Sequence, residues 1–371
     1  MTKPCVLIIF GGRSGEHSIS CATAAGILSA IDRSRYDVIT AGITPEGRWV
    51  VVPDNPDLYR LEGADGITIT GGEVGINLIA GQSSALEIEI AGGKVVSAAD
   101  LGRIDVVFPL LHGPYGEDGT IQGLFEMVNV KYVGCGVLAS AACMDKHTTK
   151  TMLTSAGLPA GRWELVTARQ WRENRMGVLE RLETLGMPVF VKPARAGSSL
   201  GITKVATRQD LAAAIEEAQK HDPRVVVESM LTGLEVEVAV LGGRGGSAPR
   251  TTTAGCIRVA ERVDFYDYKT KYIDHDAVSL QIPAPLPPEM MVRTRELAAA
   301  AFDALGCEGL ARVDFFANPQ TGEIVVNEIN TMPGFTPYSM YPMLWQAQGM
   351  GYTELVTELI ELALDRPYGL R

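Results

Sequence analysis

The chain has no excess of positive charge. Lysine and arginine number 33 against 44 aspartates and glutamates, a net charge of −11, which argues against a nucleic-acid or anionic-membrane surface. No apolar run approaches membrane-spanning length. The start, MTKPCVLIIFGGRSG, is a strand running into a glycine turn and not a signal peptide. The six cysteines, at 5, 21, 135, 143, 256 and 307, have no metal spacing and read as reduced thiols of a cytoplasmic protein. What is present is an ordinary globular composition, 46% hydrophobic and 21% charged. At 371 residues it suffices for two or three domains with cores of their own.

The most informative stretch is ARVDFFANPQTGEIVVNEINTMPGFTPYS. Residues 312–316 alternate, with Arg312, Asp314 and Phe316 on one face of a strand. A turn at 318–322 leads to a second strand from Glu323 to Ile329, with Glu328 and Asn330 on one face. Paired as a hairpin, the strands bring Arg312, Asp314, Glu328 and Asn330 together. Two carboxylates and an amide suit Mg²⁺, and the lack of histidine or cysteine speaks against zinc. An arginine beside them is a clamp for phosphoryl oxygens. The simpler alternative is a solvated hairpin whose acids pair with Arg312.

The remainder reads as α/β. A buried strand at 5–10 runs through a glycine turn into a helix ending near Ile31, with Glu16 and His17 where the turn enters it. The glycine spacing does not fit a dinucleotide fingerprint. Further strands are predicted at 36–43, 105–110 and 132–134, and residues 53–100 read as a surface elaboration of small strands and loops. The loop LHGPYGEDGTIQG carries His112 at a strand end, before a helix at 120–128. One helix is predicted over 136–156, carrying Lys146. Strands at 189–192 and 202–205 flank a loop with Ser198 and Ser199, a hairpin tip that can fold over a triphosphate. Lys192 stands before that loop as a point charge for phosphate. Residues 207–210 match a capping box opening the next helix. A strand at 225–231 contains Glu228, and Glu235 opens the following strand; acids beside a short connection fit adenine and ribose recognition. The stretch DFYDYKTKYIDH at 264–275 reads as a lid. Amphipathic helices are expected at 292–305 and 353–364.

In order and spacing, GGRSGEHSIS, LHGPYGEDGTIQG, MDK, FVKPARAGSSLG, FYDYKTKY, ARVDFF and NEINTMPGFTPYSMYP resemble the motifs of D-alanine–D-alanine ligases of the ATP-grasp superfamily, over nearly the full length. The resemblance implies a three-domain α/β ATP-grasp fold. Residues 1–134 would be an N-terminal parallel-sheet, Rossmann-like domain that binds substrate. Residues 135–231 would be the central subdomain with the phosphate loop, and 232–371 the C-terminal subdomain with lid and metal site. It implies ATP-dependent joining of two D-alanines through a D-alanyl phosphate, for peptidoglycan precursors, by a cytoplasmic homodimer that binds neither nucleic acid nor membrane.

By the same resemblance, Lys146, Lys192, Ser198 and Ser199 meet the ATP phosphates. Glu228 and the backbone of Met230 and Leu231 receive adenine, Glu235 holds the ribose, and Phe316 and Asn327 complete the nucleotide site. Asp314, Glu328 and Asn330 hold two Mg²⁺, with Glu328 bridging and Mn²⁺ able to substitute. Arg312 and the Gly334 N–H face the oxyanion; Glu16 takes the first ammonium, and His112 lies near that alanine's carboxylate. Lys271, Ser339 and Met340 receive the second D-alanine, while Glu16, Ser198 and Tyr272 form a hydrogen-bonded chain to the lid. D-alanine–D-lactate and D-alanine–D-serine ligases are the rival readings, and Tyr272 resembles the residue of dipeptide ligases. Two departures stand out: Ser229 replaces a lysine common beside the adenine-reading glutamate, and NEINTMPG replaces EANTSPG.

Overall fold

The computed structural model describes residues 2–61, 66–71, 74–79, 83–91, 94–197, 200–259 and 278–369. Ser198, Ser199, Lys271, Tyr272 and the expected lid at 264–275 lie outside them.

The first sheet has eight strands: β1 (Cys5–Gly11), β2 (Asp37–Ile43), β3 (Trp49–Val51), β4 (Val74–Ile79), β5 (Ser84–Ala91), β6 (Lys94–Arg103), β7 (Val106–Pro109) and β8 (Lys131–Tyr132). Their order is β6-β5-β4-β3-β2-β1-β7-β8. Residues 6–10 of β1 are fully buried, as a mid-sheet strand covered on both faces must be. The pairings from β2 through β1 and β7 to β8 are parallel, and all others are antiparallel. The expectation of a parallel sheet therefore holds for one half only. The segment read as a surface elaboration supplies β4, β5 and β6, whose short connections permit only antiparallel pairing. Two helices, α1 (His17–Ala30) and α2 (Thr120–Val128), flank this sheet.

The helix expected over 136–156 is two helices, α3 (Val137–Met144) and α4 (Lys146–Ser155). Asp145 lies between them in extended conformation (φ −93°, ψ 105°), and its side chain accepts the Thr148 N–H at 2.9 Å as an N-cap. The Lys146 N–H leaves the helical ladder and donates to the Ala194 carbonyl at 3.0 Å. That tertiary bond brings Lys146 beside the phosphate loop. Both helices bury side chains, Ala139, Cys143 and Leu153 among them, in the core of the third sheet.

The second sheet is antiparallel, with order β11-β10-β12-β9, from β9 (Trp163–Thr167), β10 (Val189–Pro193), β11 (Thr203–Val205) and β12 (Arg224–Ser229). Helices α5 (Ala168–Glu173), α6 (Arg175–Glu183) and α7 (Leu211–Ala218) close its core. The capping box expected at Thr207 does not form. Thr207 Oγ1 donates to the Asp210 carboxylate at 2.7 Å, residues 208–210 make a 3₁₀ turn, and the α-helix starts at Leu211.

The third sheet contains β13 (Leu234–Leu241), β14 (Arg250–Thr251), β15 (Gly255–Val259), β16 (Val278–Gln281), β17 (Leu310–Asn318) and β18 (Glu323–Asn330). Its main path is β16-β15-β13-β17-β18, and α8 (Pro288–Ala304) covers one face with Leu297, Ala301 and Phe302. The chain then returns to the first sheet. Helices α9 (Met340–Ala347) and α10 (Tyr352–Asp365) bury Tyr341, Leu355 and Leu359 in one core with Phe10 and Phe108.

Candidate active site

The hairpin forms as the alternation requires. Across β17 and β18, Arg312 pairs with Asn330 and Asp314 with Glu328. The register then shifts, so Phe315 faces Val326 and Asn327 is the extra residue of a bulge. A bulge re-aims the neighbouring side chain, here Glu328. Arg312 grips Asp314 in fork geometry, Nε to Oδ1 at 2.8 Å and Nη2 to Oδ2 at 2.7 Å. Asn330 Nδ2 donates to the same carboxylate at 2.9 Å. From the adjacent β13, Glu237 lies 3.1 Å from Arg312 Nε. Burial alone would lower the Arg312 pKa, but the charges of Asp314 and Glu237 outweigh it and raise it.

A second charged cluster faces this one. Lys192 Nζ donates to Glu228 Oε2 at 2.9 Å, while Lys150 Nζ lies 3.6 Å from Glu228 Oε1. Lys146 Nζ donates to the Ala196 carbonyl at 2.7 Å. Burial lowers the pKa of Lys146 and of Lys150. Burial acts on Lys192 in the same sense, but the contact with Glu228 reverses it and the Lys192 pKa rises. Burial would raise the Glu228 carboxyl, yet Lys150, Lys192 and Lys146 together hold it at about 2. The charge of Glu328 is felt by all three lysines, so the two clusters share one electrostatic field.

The remaining nucleotide residues lie around these clusters. Glu235 pairs with Phe316 across β13 and β17. Leu231 packs on Gly161, where a Cβ would come within 3.1 Å of it. The Met230 N–H already donates to the Pro188 carbonyl at 3.2 Å and is not available to adenine. Ser229, in place of a lysine, turns its hydroxyl to the Leu185 carbonyl at 2.9 Å.

At the other end of the site, Glu16 stands at the start of α1 and reaches the phosphate loop: a Cβ on Gly197 would stand 3.1 Å from Glu16 Oε1. Glu16, His112 and Glu117 offer atoms that all lie within 4.8 Å of one another. His112 is buried, with Nδ1 3.1 Å from the Met332 carbonyl and Nε2 3.2 Å from Thr23 Oγ1. A carbonyl only accepts, so Nδ1 carries the proton and Nε2 accepts from the threonine. Burial lowers the His112 pKa against the pull of Glu16, which favours this neutral form. Both ring nitrogens are thus engaged with the protein itself. Burial, then the charge of Glu16, pushes the Glu117 carboxyl up to about 8, against the Gly113 and Met332 N–H groups and Arg312.

After the hairpin, Ser339 Oγ accepts the Thr336 N–H at 3.1 Å, and a Cβ on Gly334 would stand 3.2 Å from that hydroxyl. Met340, expected to line the substrate site, has its side chain 5% exposed within the first core, where its sulfur packs against Gly255. The first turn of α9 draws it inward.

Four charged or polar groups of this site were not singled out from sequence: Lys150, Glu237, Glu117 and Thr23. Lys150 alone carried a local signal. It stands four residues after Lys146, a spacing that puts both lysines on one helix face.

Known proteins share both the sequence and the fold. The family description D-ala D-ala ligase N-terminus matches residues 5–135, and D-ala D-ala ligase C-terminus matches residues 152–361. A D-alanine–D-alanine ligase of Kineococcus radiotolerans is 53% identical, over 100% of this chain and 99% of its own. That of Pseudarthrobacter chlorophenolicus is 52% identical, over 100% and 96%. Among solved structures, the VanG D-Ala:D-Ser ligase from Enterococcus faecalis superposes with TM-score 0.81 at 35% identity, covering 98% of this chain and 100% of its own. The D-alanine–D-alanine ligase from Coxiella burnetii gives TM-score 0.81 at 33% identity, covering 99% and 95%. Matched at both ends by the family descriptions and along its whole length by such relatives, the chain belongs to the D-alanine–D-alanine ligase family, with the ATP-grasp fold and ADP-forming ligase chemistry that go with it.

Proposed function

We propose that this chain joins two D-alanines into D-alanyl-D-alanine with ATP, through a D-alanyl phosphate, for peptidoglycan precursor synthesis. The observation that carries the reading is one hairpin face, Arg312 with Asn330 and Asp314 with Glu328, set in the field of three lysines, Lys150 buried and Lys146 and Lys192 partly buried. Oxygens for a cation and cations for phosphates meet there. A carboxylate does not accept an amine at neutral pH, because its leaving group is too poor. Transfer of the ATP γ-phosphoryl to the first D-alanine carboxylate supplies a leaving group, and the second amine displaces phosphate.

In this reading residues 1–134 carry the first amino acid, and 135–231 and 232–371 enclose the nucleotide. Lys146, Lys192, Ser198 and Ser199 hold the phosphates. Glu228, the Met230 carbonyl and the Leu231 N–H receive adenine, and Glu235 the ribose, beside Phe316 and Asn327. Glu16 takes the first ammonium, while Lys271 and Ser339 take the second carboxylate. Arg312 and the Gly334 N–H stabilise the oxyanion, a contribution of roughly 3–4 kcal/mol for one such donor. Tyr272, through Ser198 and Glu16, fixes the lid that keeps water from the acyl phosphate.

The donor set fits Mg²⁺. Asp314, Glu328 and Asn330 are hard oxygen donors on adjoining strands, and Asn330 uses its nitrogen toward Asp314, which leaves the amide oxygen for a cation. Two bound ions would offset the negative charge of the transferring phosphoryl group. Six free thiols and ATP dependence fit a cytoplasmic enzyme. No described helix is long and apolar enough to cross a membrane. The homodimer implied by the resemblance is tested by sedimentation, which should give twice the 39.8 kDa chain mass.

The testing experiment is mass-spectrometric product analysis with ATP and with D-alanine, D-serine and D-lactate competing. D-alanyl-D-alanine is the expected product, and a predominance of D-Ala-D-Ser or D-Ala-D-lactate would contradict the reading.

A further inference from the structure

Both polar groups of Met332 are held by side chains from one distant loop. Its N–H donates to Glu117 Oε1 at 3.1 Å, and its carbonyl accepts from His112 Nδ1 at 3.1 Å. The holders are themselves anchored. Glu117 Oε2 accepts the Gly113 N–H at 2.7 Å, His112 Nε2 accepts from Thr23 Oγ1 at 3.2 Å, and the His112 carbonyl accepts from Ser14 Oγ at 2.7 Å. The Met332 side chain is 6% exposed in the core below. Two successive peptide planes are therefore pinned, one on each side of the Met332 Cα.

The backbone after Met332 has little slack. Pro333 has its φ locked by its ring, and the residue before a proline is restricted as well. Only the ψ of Pro333 separates the pinned Met332 carbonyl plane from the plane carrying the Gly334 N–H. Beyond Gly334, the Phe335 carbonyl accepts from Tyr352 Oη. Gly334 itself cannot gain a side chain freely, since a Cβ would stand 3.2 Å from Ser339 Oγ.

We propose that Glu117 is a positioning residue for ligation: with His112 it clamps Met332 and so aims the Gly334 N–H at the oxyanion. The inference rests on the role given to Gly334 above. It also changes the task of His112, from a neighbour of the substrate carboxylate to the second jaw of the clamp. A carboxyl suits the first jaw because each of its two oxygens keeps a lone pair for one N–H group, with or without the proton that a pKa of about 8 leaves on it at neutral pH. A glutamine offers one oxygen and an NH₂, so one of the two N–H groups would face a donor.

The test combines hydrogen exchange of the peptide spanning 331–336 with steady-state kinetics on the full chain. In Glu117→Gln and His112→Ala, exchange at these amides should accelerate about tenfold, and kcat should fall about tenfold with the ATP KM within about twofold, since misplacing a reacting group slows chemistry without loosening the nucleotide. His112→Asn, whose Nδ2 can replace Nδ1 as donor, should recover most of the His112→Ala loss. The double variant should lose little more than the worse single one, because both act on one turn. Unchanged exchange in Glu117→Gln, multiplying losses in the double variant, or a kcat and ATP KM that worsen in step would overturn the clamp. Faster exchange with unchanged kcat would instead overturn the role of Gly334. If Glu117→Gln does not fold, the histidine pair decides: equal kcat in His112→Ala and His112→Asn defeats the proposal.

Discussion

Lys150 Nζ and Lys192 Nζ approach opposite oxygens of Glu228, at 3.6 and 2.9 Å, so one buried carboxylate serves two ammonium groups. Lys150 is 1% exposed and Glu228 5%. Charges so far from water persist only when paired. Their arrangement explains why Glu228 stays ionised at the place proposed for the adenine amino group.

Replacing Lys150 by methionine keeps the bulk and removes one of the cations. The Glu228 carboxyl, at about 2 against an ordinary 4.5, should then titrate higher. A carboxyl depressed on folding stabilises the native state above its unfolded pKa, and this stability is lost as pH falls through the folded value. For Glu228 the loss runs from about 4.5 down to about 2. In Lys150→Met the loss should still begin near 4.5, the unfolded value, but finish at higher pH and be smaller. Stability at neutral pH should drop by about 1–3 kcal/mol, less than for an orphaned ion because Lys192 remains. Urea midpoints across the acid range measure both effects, and superimposable acid limbs would contradict the pairing.

Asp145 breaks the helix so that Lys146 can reach the phosphate loop. It accepts the Thr148 N–H and pairs with Arg224 at 3.1 Å. Asp145→Ala should lose about 0.5–2 kcal/mol of stability through the cap and raise the ATP KM. Asp145→Asn keeps a good cap and should retain more of both. Identical behaviour of the two variants would show that the cap does not hold Lys146.

Glu328 is proposed as the ligand shared between two cations. Glu328→Gln removes one negative charge and keeps the shape. Circular dichroism and unfolding midpoint should stay near wild type, while D-alanine-dependent ADP release falls below detection at ordinary Mg²⁺. Near-normal turnover would remove Glu328 from the metal site.

The hairpin was legible in the sequence because alternation is a local property. Arg312, Asp314, Glu328 and Asn330 are placed on their faces by chain geometry alone, and a turn-rich connection pairs them. The bulge at Asn327 was not legible, since a register shift leaves no mark in an alternating pattern. Glu237 only alternates with valines on its strand and carries no local mark. Its contact with Arg312 depends on β13 lying beside β17, a pairing between distant segments. Glu117 and Met332 are 215 residues apart, and neither is unusual locally. The single helix expected over 136–156 followed from continuous helical propensity, and the tertiary bond from Lys146 N–H to Ala194 overrode it. The burial of the Met340 side chain in the first core was not legible, since its motif says nothing of which way helix α9 turns it.

The D-alanyl phosphate is tested most directly by oxygen transfer. With ATP and D-alanine labelled with ¹⁸O in the carboxylate, one labelled oxygen should leave in the inorganic phosphate for each dipeptide formed, the other staying in the peptide carbonyl. Mass spectrometry of the phosphate reads this without trapping the intermediate. Labelled phosphate equal to dipeptide is the expected result; unlabelled phosphate beside normal dipeptide would contradict the pathway.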